Sequence, residues 1–386
     1  MKILSFISYY YPSFKSGGPV KTLKNMVEKL DKINFYIVTR DRDLGDKRSF
    51  SNINLNSWQE VDTAKVLYLP PESFSINNIA EIINDSSCQI IYLNSFFDLT
   101  FTFKPLLTRK FGMIDPCHVV LAPRGEFSAG ALALKSWRKR LFIKLSSVLG
   151  IYNDVIWQAS SQYEKHDIIA ALNIHPSSVF IAKDLPSKGL KNESGIILKA
   201  NETCRLVFLS RVSPMKNLDF ALQVLGMVKA DLIFDIYGPI EDKSYWQDCL
   251  KLVQKLPSNI KVNYCGAVEA DQVMDVLCAY DLFFFPTRGE NYGHVIAESL
   301  SVGTPALISD QTPWKNLAID SLGWDLPLNV EKFVEKIELV AARDAQSRLE
   351  WRQQVALSSA SKISNEQDIE DNIALFQFAL DTFNKD

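Results

Sequence analysis

The chain has 386 residues, of which 47% are hydrophobic, and a formal net charge of −3. This length favours two domains over one, and the apolar content excludes a disordered chain. The small net charge excludes a nucleic-acid binder that relies on overall positive charge, so we expect no nucleic-acid partner.

The six cysteines form no CxxC pair and show no zinc-ligand spacing. We interpret them as buried, reduced thiols, which indicates a reducing compartment. No apolar run approaches the roughly 20 residues that span a bilayer. These features predict a cytoplasmic protein.

In the first half, apolar runs alternate with amphipathic stretches. An apolar run at 3–8 predicts a buried strand, and a loop with Gly17 and Gly18 leads into a helix with apolar residues at helical spacing. Further buried strands are predicted at 34–39, 89–93, 118–122 and 155–159. The alternation predicts a parallel sheet covered by helices on both faces.

A polar stretch at 187–203 predicts a linker, after which the alternation begins again. Strands are predicted at 205–209, 231–237, 260–264, 282–285 and 305–309. We therefore predict an α/β chain of two doubly wound, Rossmann-like domains, 1–195 and 196–365, with a C-terminal helix at 366–386 that packs back on the first. Ligands of such sheets bind beyond the carboxyl ends of the strands.

The most informative loop follows the predicted strand at 282–285 and opens a helix. The first N–H groups of a helix lack internal partners and lie at its positive end, which makes them an anion site. Here these positions are Asn291, Tyr292, Gly293 and His294. Glu298, one turn into the helix, can reach two vicinal hydroxyls, as a ribose offers, whereas Glu290 precedes the helix and points elsewhere.

Two cations, Arg211 and Lys216, follow the strand at 205–209. A guanidinium can hold two phosphate oxygens and an ammonium supplies a compact charge, so together they can neutralise a diphosphate. Taken alone, either is an ordinary surface cation. Two further loops carry Gly238 and Val268, and the glycines at these strand ends permit flat contact with a nucleobase.

Together these segments resemble the family-4 retaining glycosyltransferases of the GT-B fold, whose two domains face a central cleft. Glu290 and Glu298 look like the E-x7-E motif of that family, and Arg211 and Lys216 look like its diphosphate-binding pair. The segment 123–127, Pro-Arg-Gly-Glu-Phe, resembles an N-domain signature of members that build bacterial polysaccharides.

The resemblance implies roles for these residues. Glu290 would lie near the transferred sugar and Glu298 would bind the ribose. The amides at 291–294 would face the sugar or the phosphates, which Gly17 and Gly18 would also meet. Arg124, after the strand at 118–122, is expected to contact phosphate or acceptor; an ion pair or a helix cap is its alternative role. His294 departs from the family pattern, which has an aliphatic residue there.

The implied activity is retaining transfer of a hexose or N-acetylhexosamine from a nucleotide sugar, a UDP-sugar first and a GDP-hexose second. The acceptor would be a saccharide or polyprenyl-linked saccharide in O-antigen or exopolysaccharide synthesis. We expect no metal and no other cofactor, because fixed cations face the phosphates. Asp41-Arg42-Asp43 is a contrary hint, since an Asp-x-Asp pair binds metal in the other major glycosyltransferase fold; we interpret it as a solvated loop.

A basic segment suggests contact with the inner face of the cell membrane. No acid occurs between Glu126 and Asp154, and apolar residues alternate there with basic ones. On a helix this gives a basic face beside an apolar one, suited to anionic lipids. The alternative is a helix whose apolar face is simply core. The basic residues are Lys135, Arg138, Lys139, Arg140 and Lys144.

Other functions stay open at this point. The same architecture serves sugar-nucleotide epimerases and phosphorylases, and the chain could be an inactive nucleotide-sugar-binding partner of another transferase. A dinucleotide dehydrogenase is disfavoured, because no GxGxxG follows the first strand.

Overall fold

The computed structural model describes residues 1–13, 15–133, 136–187, 200–363 and 366–381, and the chain divides into two compact units. The first comprises Met1–Leu185 and Glu366–Asp386, and the second comprises Pro186–Asn365. The predicted boundary between 195 and 196, most of the predicted linker and the last five positions of the predicted C-terminal helix lie outside the described residues.

The first unit contains an eight-stranded sheet in the order β3-β4-β2-β1-β5-β6-β7-β8, parallel except for the pairing of β3 with β4. The strands are β1 (Lys2–Phe6), β2 (Asn34–Arg40), β3 (Trp58–Val61), β4 (Ala64–Leu69), β5 (Ile90–Leu93), β6 (His118–Leu121), β7 (Val155–Ala159) and β8 (Val179–Ile181). The helices are α1 (Gly18–Lys29), α2 (Ile76–Ser86), α3 (Lys104–Lys110), α4 (Ala129–Ala133), α5 (Ser136–Val148) and α6 (Gln162–Leu172).

The second unit contains a six-stranded parallel sheet in the order β11-β10-β9-β12-β13-β14. The strands are β9 (Cys204–Leu209), β10 (Leu232–Tyr237), β11 (Ile260–Gly266), β12 (Leu282–Phe285), β13 (Ala306–Ser309) and β14 (Gly323–Leu326). The helices are α7 (Leu218–Leu225), α8 (Lys243–Val253), α9 (Val273–Leu277), α10 (His294–Ser301), α11 (Val330–Ala341), α12 (Ala345–Ser358) and α13 (Ala360–Ile363).

Each sheet is held by apolar side chains that its central strands bury on both faces. β5 and β12 are buried along their whole length, as near-continuous apolar runs require in a parallel sheet. The predicted α/β class with two parallel sheets is therefore confirmed. None of the helices within the described ranges combines the length and apolarity that crossing a bilayer requires.

Both sheets reverse their strand order beside their first strand. In the first unit β1 lies between β2 and β5, and in the second β9 lies between β10 and β12. At such a point the following connections leave on opposite faces of the sheet, and a crevice forms beyond the carboxyl ends of the strands. The reversals therefore indicate two pairs of loops as candidate ligand sites: the loops after β1 and β5 and the loops after β9 and β12.

The last helix of the chain, α14 (Glu366–Asp381), belongs to the first unit. Its Phe376 is fully buried and meets the ring of Tyr92 edge-on, with 5.4 Å between the centroids. The buried Asn372 donates a 2.8 Å hydrogen bond to the carbonyl of Lys183. The helix is thus an integral part of the first core.

The loop after β10 crosses very close to the loop after β9. Gly238 has a φ of +133°, and a Cβ built on it would lie 1.9 Å from the carbonyl oxygen of Ser210. Its N–H also donates a 2.7 Å hydrogen bond to the carbonyl of Gly266. A glycine is therefore required at 238 by the backbone crossing itself, whether or not a nucleobase lies against it.

Replacement of Gly238 by alanine should destabilise the second unit by about 3 kcal/mol or more, because a backbone oxygen cannot move away from the new methyl. Gly266→Ala is the matched control. Its φ is +82° but no atom lies within 4 Å of the added Cβ, so only the backbone strain of about 1–2 kcal/mol remains. Thermal unfolding of the two variants should give a clearly lower Tm for Gly238→Ala; equal Tm values would contradict the crossing.

Candidate active site

An ion pair joins the two loops at the strand-order reversal of the second unit. Lys216, in the loop after β9, donates through Nζ to Oε1 of Glu290, in the loop after β12. Both side chains are only 14% exposed, and Nζ lies 5.7 Å from the centroid of the Phe285 ring. Partial burial strengthens the attraction, so the ammonium is held at the carboxyl edge of the sheet.

A second set of contacts holds the same two loops together. Asn217, with a φ of +62°, donates a 2.8 Å hydrogen bond through Nδ2 to the carbonyl of Pro286. Its Oδ1 accepts a 2.8 Å bond from Nε of Arg288, whose guanidinium lies 3.1 Å from a carboxylate oxygen of Asp219. Neither Asn217 nor Arg288 was predicted from the sequence as part of the site. The available signal was an asparagine between a loop and a helix, since asparagine tolerates the left-handed conformation.

The other predicted cation, Arg211, lies at the surface of the second unit. Its Nη1 is 2.9 Å from a carboxylate oxygen of Glu241, and the two side chains are 32% and 42% exposed. Exposed pairs of this kind contribute only about 0–1 kcal/mol. An incoming phosphate can therefore replace Glu241 at little cost, and a guanidinium binds it in a two-pronged manner.

The helix α10 begins at the predicted anion site. Gly293 caps it with a φ of +80°, and a Cβ there would lie 2.8 Å from Cδ1 of Ile296. The indole N–H of Trp314 donates a 2.6 Å hydrogen bond to the carbonyl of Tyr292, which fixes the approach to the helix. The ring of His294 packs near the ring of Tyr292, with 4.7 Å between centroids. Asn291 lies half-buried just before these residues.

The remaining predicted contacts of the second unit differ in burial. Glu298 lies in α10 and is buried, which is rare for an acid and sets it apart from an ordinary surface glutamate. Val268 is half-buried against the apolar core. Gly238 is fixed by the backbone crossing described above. The E-x7-E pair thus places one carboxylate with Lys216 and the other inside the helix layer.

In the first unit the predicted glycines lie at the strand-order reversal. Gly17 precedes α1 as its N-cap, and Gly18 is the first residue of the helix. Ser8, which follows β1, donates a hydrogen bond to Asp98, which follows β5. The loops after β1 and β5 therefore meet, as the strand order requires.

Arg124 lies in a polar network inside the first unit. Its side chain is 8% exposed and forms an ion pair with Asp184. Nη2 donates to the hydroxyl of Tyr92 at 2.6 Å and to Oδ1 of Asn94 at 3.0 Å. The residue also has a φ of +57°, a backbone conformation that is costly outside glycine and often marks a constrained loop. The structure thus shows the ion pair that was the alternative role of Arg124. Contact of Arg124 with phosphate or acceptor stays a prediction.

The interpretation of Asp41-Arg42-Asp43 as a solvated loop was wrong. Asp41 is 1% exposed and Asp43 3%. The Asp41 carboxylate accepts a 2.7 Å hydrogen bond from Nε of Arg42, and Asp43 accepts a 2.5 Å bond from the hydroxyl of Ser13. Asp43 therefore ties this loop to Ser13, and both carboxylates are buried, which alternating charges in a polar loop do not predict.

A buried carboxyl neighbours the Arg124 network. Glu126 accepts hydrogen bonds from the hydroxyl of Ser95 at 2.7 Å and from the N–H groups of Phe96 and Phe97 at 2.5 and 3.4 Å. Burial is the strongest influence and raises the pKa of Glu126 to about 7, against the lowering effect of these donors.

Solved structures of glycosyltransferases share this architecture along the whole chain. Anabaena HepE, solved in complex with UDP and glucose, superposes with a TM-score of 0.68 at 14% identity, over 98% of this chain and 99% of that chain. WaaG, a glycosyltransferase involved in lipopolysaccharide biosynthesis, gives 0.67 at 12% identity over 97% and 98%. The lipopolysaccharide outer core galactosyltransferase WaaB gives 0.62 at 14% identity over 99% of both chains. The protein has the GT-B fold, as the sequence predicts.

Residues 191–356 match the family model described as Glycosyl transferases group 1. The matched range lies largely within the second unit, which is thus similar to the group 1 glycosyltransferases, and Arg211, Lys216, Glu290 and Glu298 all lie within it. No sequence among the curated proteins matches the chain.

The raised pKa of Glu126 predicts a pH-dependent stability. A carboxyl whose pKa is higher in the folded state than in the unfolded chain contributes stability that is lost as the pH rises. Between about pH 4.5 and 7 the wild type should lose stability that Glu126→Gln retains. The Tm of the variant relative to wild type should rise across this window, whereas the exposed control Glu81→Gln should show a constant difference. A constant difference for Glu126→Gln would contradict the raised pKa.

Proposed function

We propose that the protein is a retaining glycosyltransferase that transfers a hexose or N-acetylhexosamine from a nucleotide sugar. The observation that carries the proposal is the convergence of Lys216 and Glu290 on the strand-order reversal of the second unit, which is similar to the group 1 glycosyltransferases. Arg211 follows the same strand, and the amino end of α10 follows the neighbouring one. This is the edge of the sheet at which nucleotides bind in doubly wound folds.

The chemistry follows from the charge that develops during transfer. As the glycosidic bond to phosphate breaks, the sugar gains oxocarbenium character and the departing diphosphate gains negative charge. Groups already fixed at that position stabilise the transition state without reorganising. Lys216, Arg211 and the amides at the start of α10 would meet this charge without a metal ion. Glu290 holds the Lys216 ammonium in place until phosphate oxygens take it up.

The other roles follow the family resemblance. Glu298 would bind the ribose, and Gly238 and Val268 would lie by the base. By the same resemblance, Gly17 and Gly18 would meet the donor phosphates. Retention would proceed by front-face attack, with the leaving phosphate accepting the acceptor's proton.

A UDP-sugar is the proposed donor and a saccharide or polyprenyl-linked saccharide the proposed acceptor. HepE was solved with UDP and glucose and with UDP-glucose, WaaG is involved in lipopolysaccharide biosynthesis, and WaaB is a lipopolysaccharide outer core galactosyltransferase. We extend these features to this chain as a role in O-antigen or exopolysaccharide assembly. Epimerisation of the donor in place, or binding without turnover, would favour the two competing functions.

Lys216→Ala and Glu290→Gln should each lower turnover at least tenfold, about 1.4 kcal/mol or more in barrier. Lys216→Ala removes the charge that meets the leaving group, and Glu290→Gln removes the partner that positions it. The assay is release of UDP from a panel of UDP-sugars with mixed saccharide acceptors, repeated with EDTA. The control is Lys251→Ala, which breaks an exposed ion pair with Asp248. Wild-type rates for both site variants, or loss of activity with EDTA, would contradict the mechanism.

We also propose that α5 attaches the protein to the inner face of the cell membrane. Trp137 is 67% exposed, and Leu141 and Leu145, one and two turns further, are about half exposed. The exposed basic residues of the same helix are Arg138, Arg140 and Lys144. Exposed apolar and basic side chains on one helix suit the boundary between anionic headgroups and acyl chains.

Two residues of the predicted basic segment do not contribute to this exposed surface. Nζ of Lys139 donates a 2.7 Å hydrogen bond to the carbonyl of Ala131, so this side chain makes a contact inside the first unit. Lys135 lies outside the described residues.

Replacement of Arg138, Arg140 and Lys144 by glutamine should weaken binding to phosphatidylglycerol vesicles at least tenfold, since each charge contributes about 1 kcal/mol at an anionic surface. Vesicle co-sedimentation measures the effect. The control removes the same number of exposed charges from the second unit through glutamine at Lys229, Lys251 and Lys255. Equal weakening by both triple variants, or equal binding to phosphatidylcholine vesicles, would exclude a membrane face on α5.

A further inference from the structure

A cavity of about 440 Å³ opens on the second unit away from the candidate active site. It is lined by the segment that leads into β14 and by α12. β14 begins at Gly323, so the cavity lies at the amino end of that strand. The loops that carry Lys216 and Glu290 follow carboxyl ends, and all strands of this sheet are parallel. The cavity and the candidate active site therefore lie at opposite edges of the sheet.

Two tryptophans form the apolar part of the cavity. The rings of Trp324 and Trp351 have centroids 5.4 Å apart and planes inclined at 56°. The guanidinium of Arg343 lies 4.5 Å from the Trp351 ring centroid, and the indole N–H of Trp351 donates a 2.8 Å hydrogen bond to the carbonyl of Ser321. Because these contacts already fix the indoles, little conformational freedom is lost when a ligand packs against them.

Polar side chains of α12 surround the indoles. Ser347, Glu350, Trp351 and Gln354 occupy positions i, i+3, i+4 and i+7 of the helix and line the same cavity. Such spacing places them on one face of the helix. Together with Arg343 they supply hydroxyl, carboxylate, amide and guanidinium groups, hydrogen-bonding partners of both kinds.

This combination matches the chemistry of a sugar. A pyranose ring presents apolar C–H faces, which pack on aromatic rings, and a rim of hydroxyls that both donate and accept hydrogen bonds. The lining carries one cation and one anion, Arg343 and Glu350, so it offers no net charge to attract a phosphate or a metal ion. The volume lies in the range of small-ligand sites.

We propose that this cavity is a second carbohydrate-binding site, which holds part of the saccharide acceptor or product while transfer takes place elsewhere. The identity of the ligand as a saccharide of the transfer reaction rests on the proposed function. A chain tethered at a second site stays at high effective concentration near the enzyme. Long saccharides should therefore benefit from the cavity and short acceptors should not.

The test uses the whole 386-residue chain on an array of oligosaccharides from bacterial surface polysaccharides, followed by titration of each bound oligosaccharide with isothermal calorimetry as the readout. Wild type should bind at least one oligosaccharide, and Trp351→Ala should weaken that binding at least tenfold. Because Trp351 also packs against the core, the double variant Glu350→Ala/Gln354→Ala, whose side chains are exposed, is measured in parallel. Gln353→Ala, on the same helix but outside the lining, is the matched control and should bind as wild type does.

The outcomes separate this site from the proposed activity. Lys216→Ala should keep full oligosaccharide binding, and the cavity variants should keep wild-type UDP release with a monosaccharide acceptor while losing rate on long acceptors. No binding by wild type to any array member, or unchanged binding by both Trp351→Ala and the double variant, would overturn the inference. Absence of transfer by wild type would instead refute the proposed function. Binding on the array would still show whether the cavity holds an oligosaccharide.

Discussion

The reversal of strand order beside β9 is the constraint from which the site of the second unit follows. Parallel strands end at one edge, and only at the reversal do successive connections leave on opposite faces, so the loops after β9 and β12 meet with room between them. Lys216 and Glu290 lie at this position. Asn217, which follows Lys216 in the chain, joins the two loops by a hydrogen bond to the carbonyl of Pro286 in the loop after β12. The cation is thus positioned before any ligand arrives, as electrostatic catalysis requires.

The same topology serves different ends in the two units. In the first unit, Arg124 and Asp184 lie beyond the strands, are nearly inaccessible to solvent and form an ion pair with each other. In the second, the pair of Arg211 with Glu241 is exposed and exchangeable. Buried networks fix the shape of a loop because leaving one member unpaired is costly, whereas exposed pairs can change partners. The first arrangement suits a rigid frame, whereas the second leaves the guanidinium of Arg211 open to a change of partner.

The sequence was sufficient for the fold class because apolar runs of four or more residues mark strands that are buried on both faces, as at β12. It was insufficient for the edges of the first sheet. β3 is half exposed and polar in part, and β8 has only three residues, so neither stands out as an apolar run. The motif residues Lys216 and Glu290 could be identified by type and spacing. Supporting residues, such as Asn217 beside Lys216 and Asp184 beside Arg124, could not be identified, because hydrogen bonds between distant segments leave no local pattern.

The position of α14 has a consequence for the order in which the chain folds. The first core contains Leu375, Phe376 and Ala379, which lie near the end of the chain, whereas the second unit is built from one continuous stretch. During synthesis domains fold as units when their residues emerge from the ribosome. The second unit is completely translated before the first, although it begins later in the sequence, because α14 follows it. The N-terminal sheet must therefore wait, with part of its apolar surface uncovered, until α14 has also been translated.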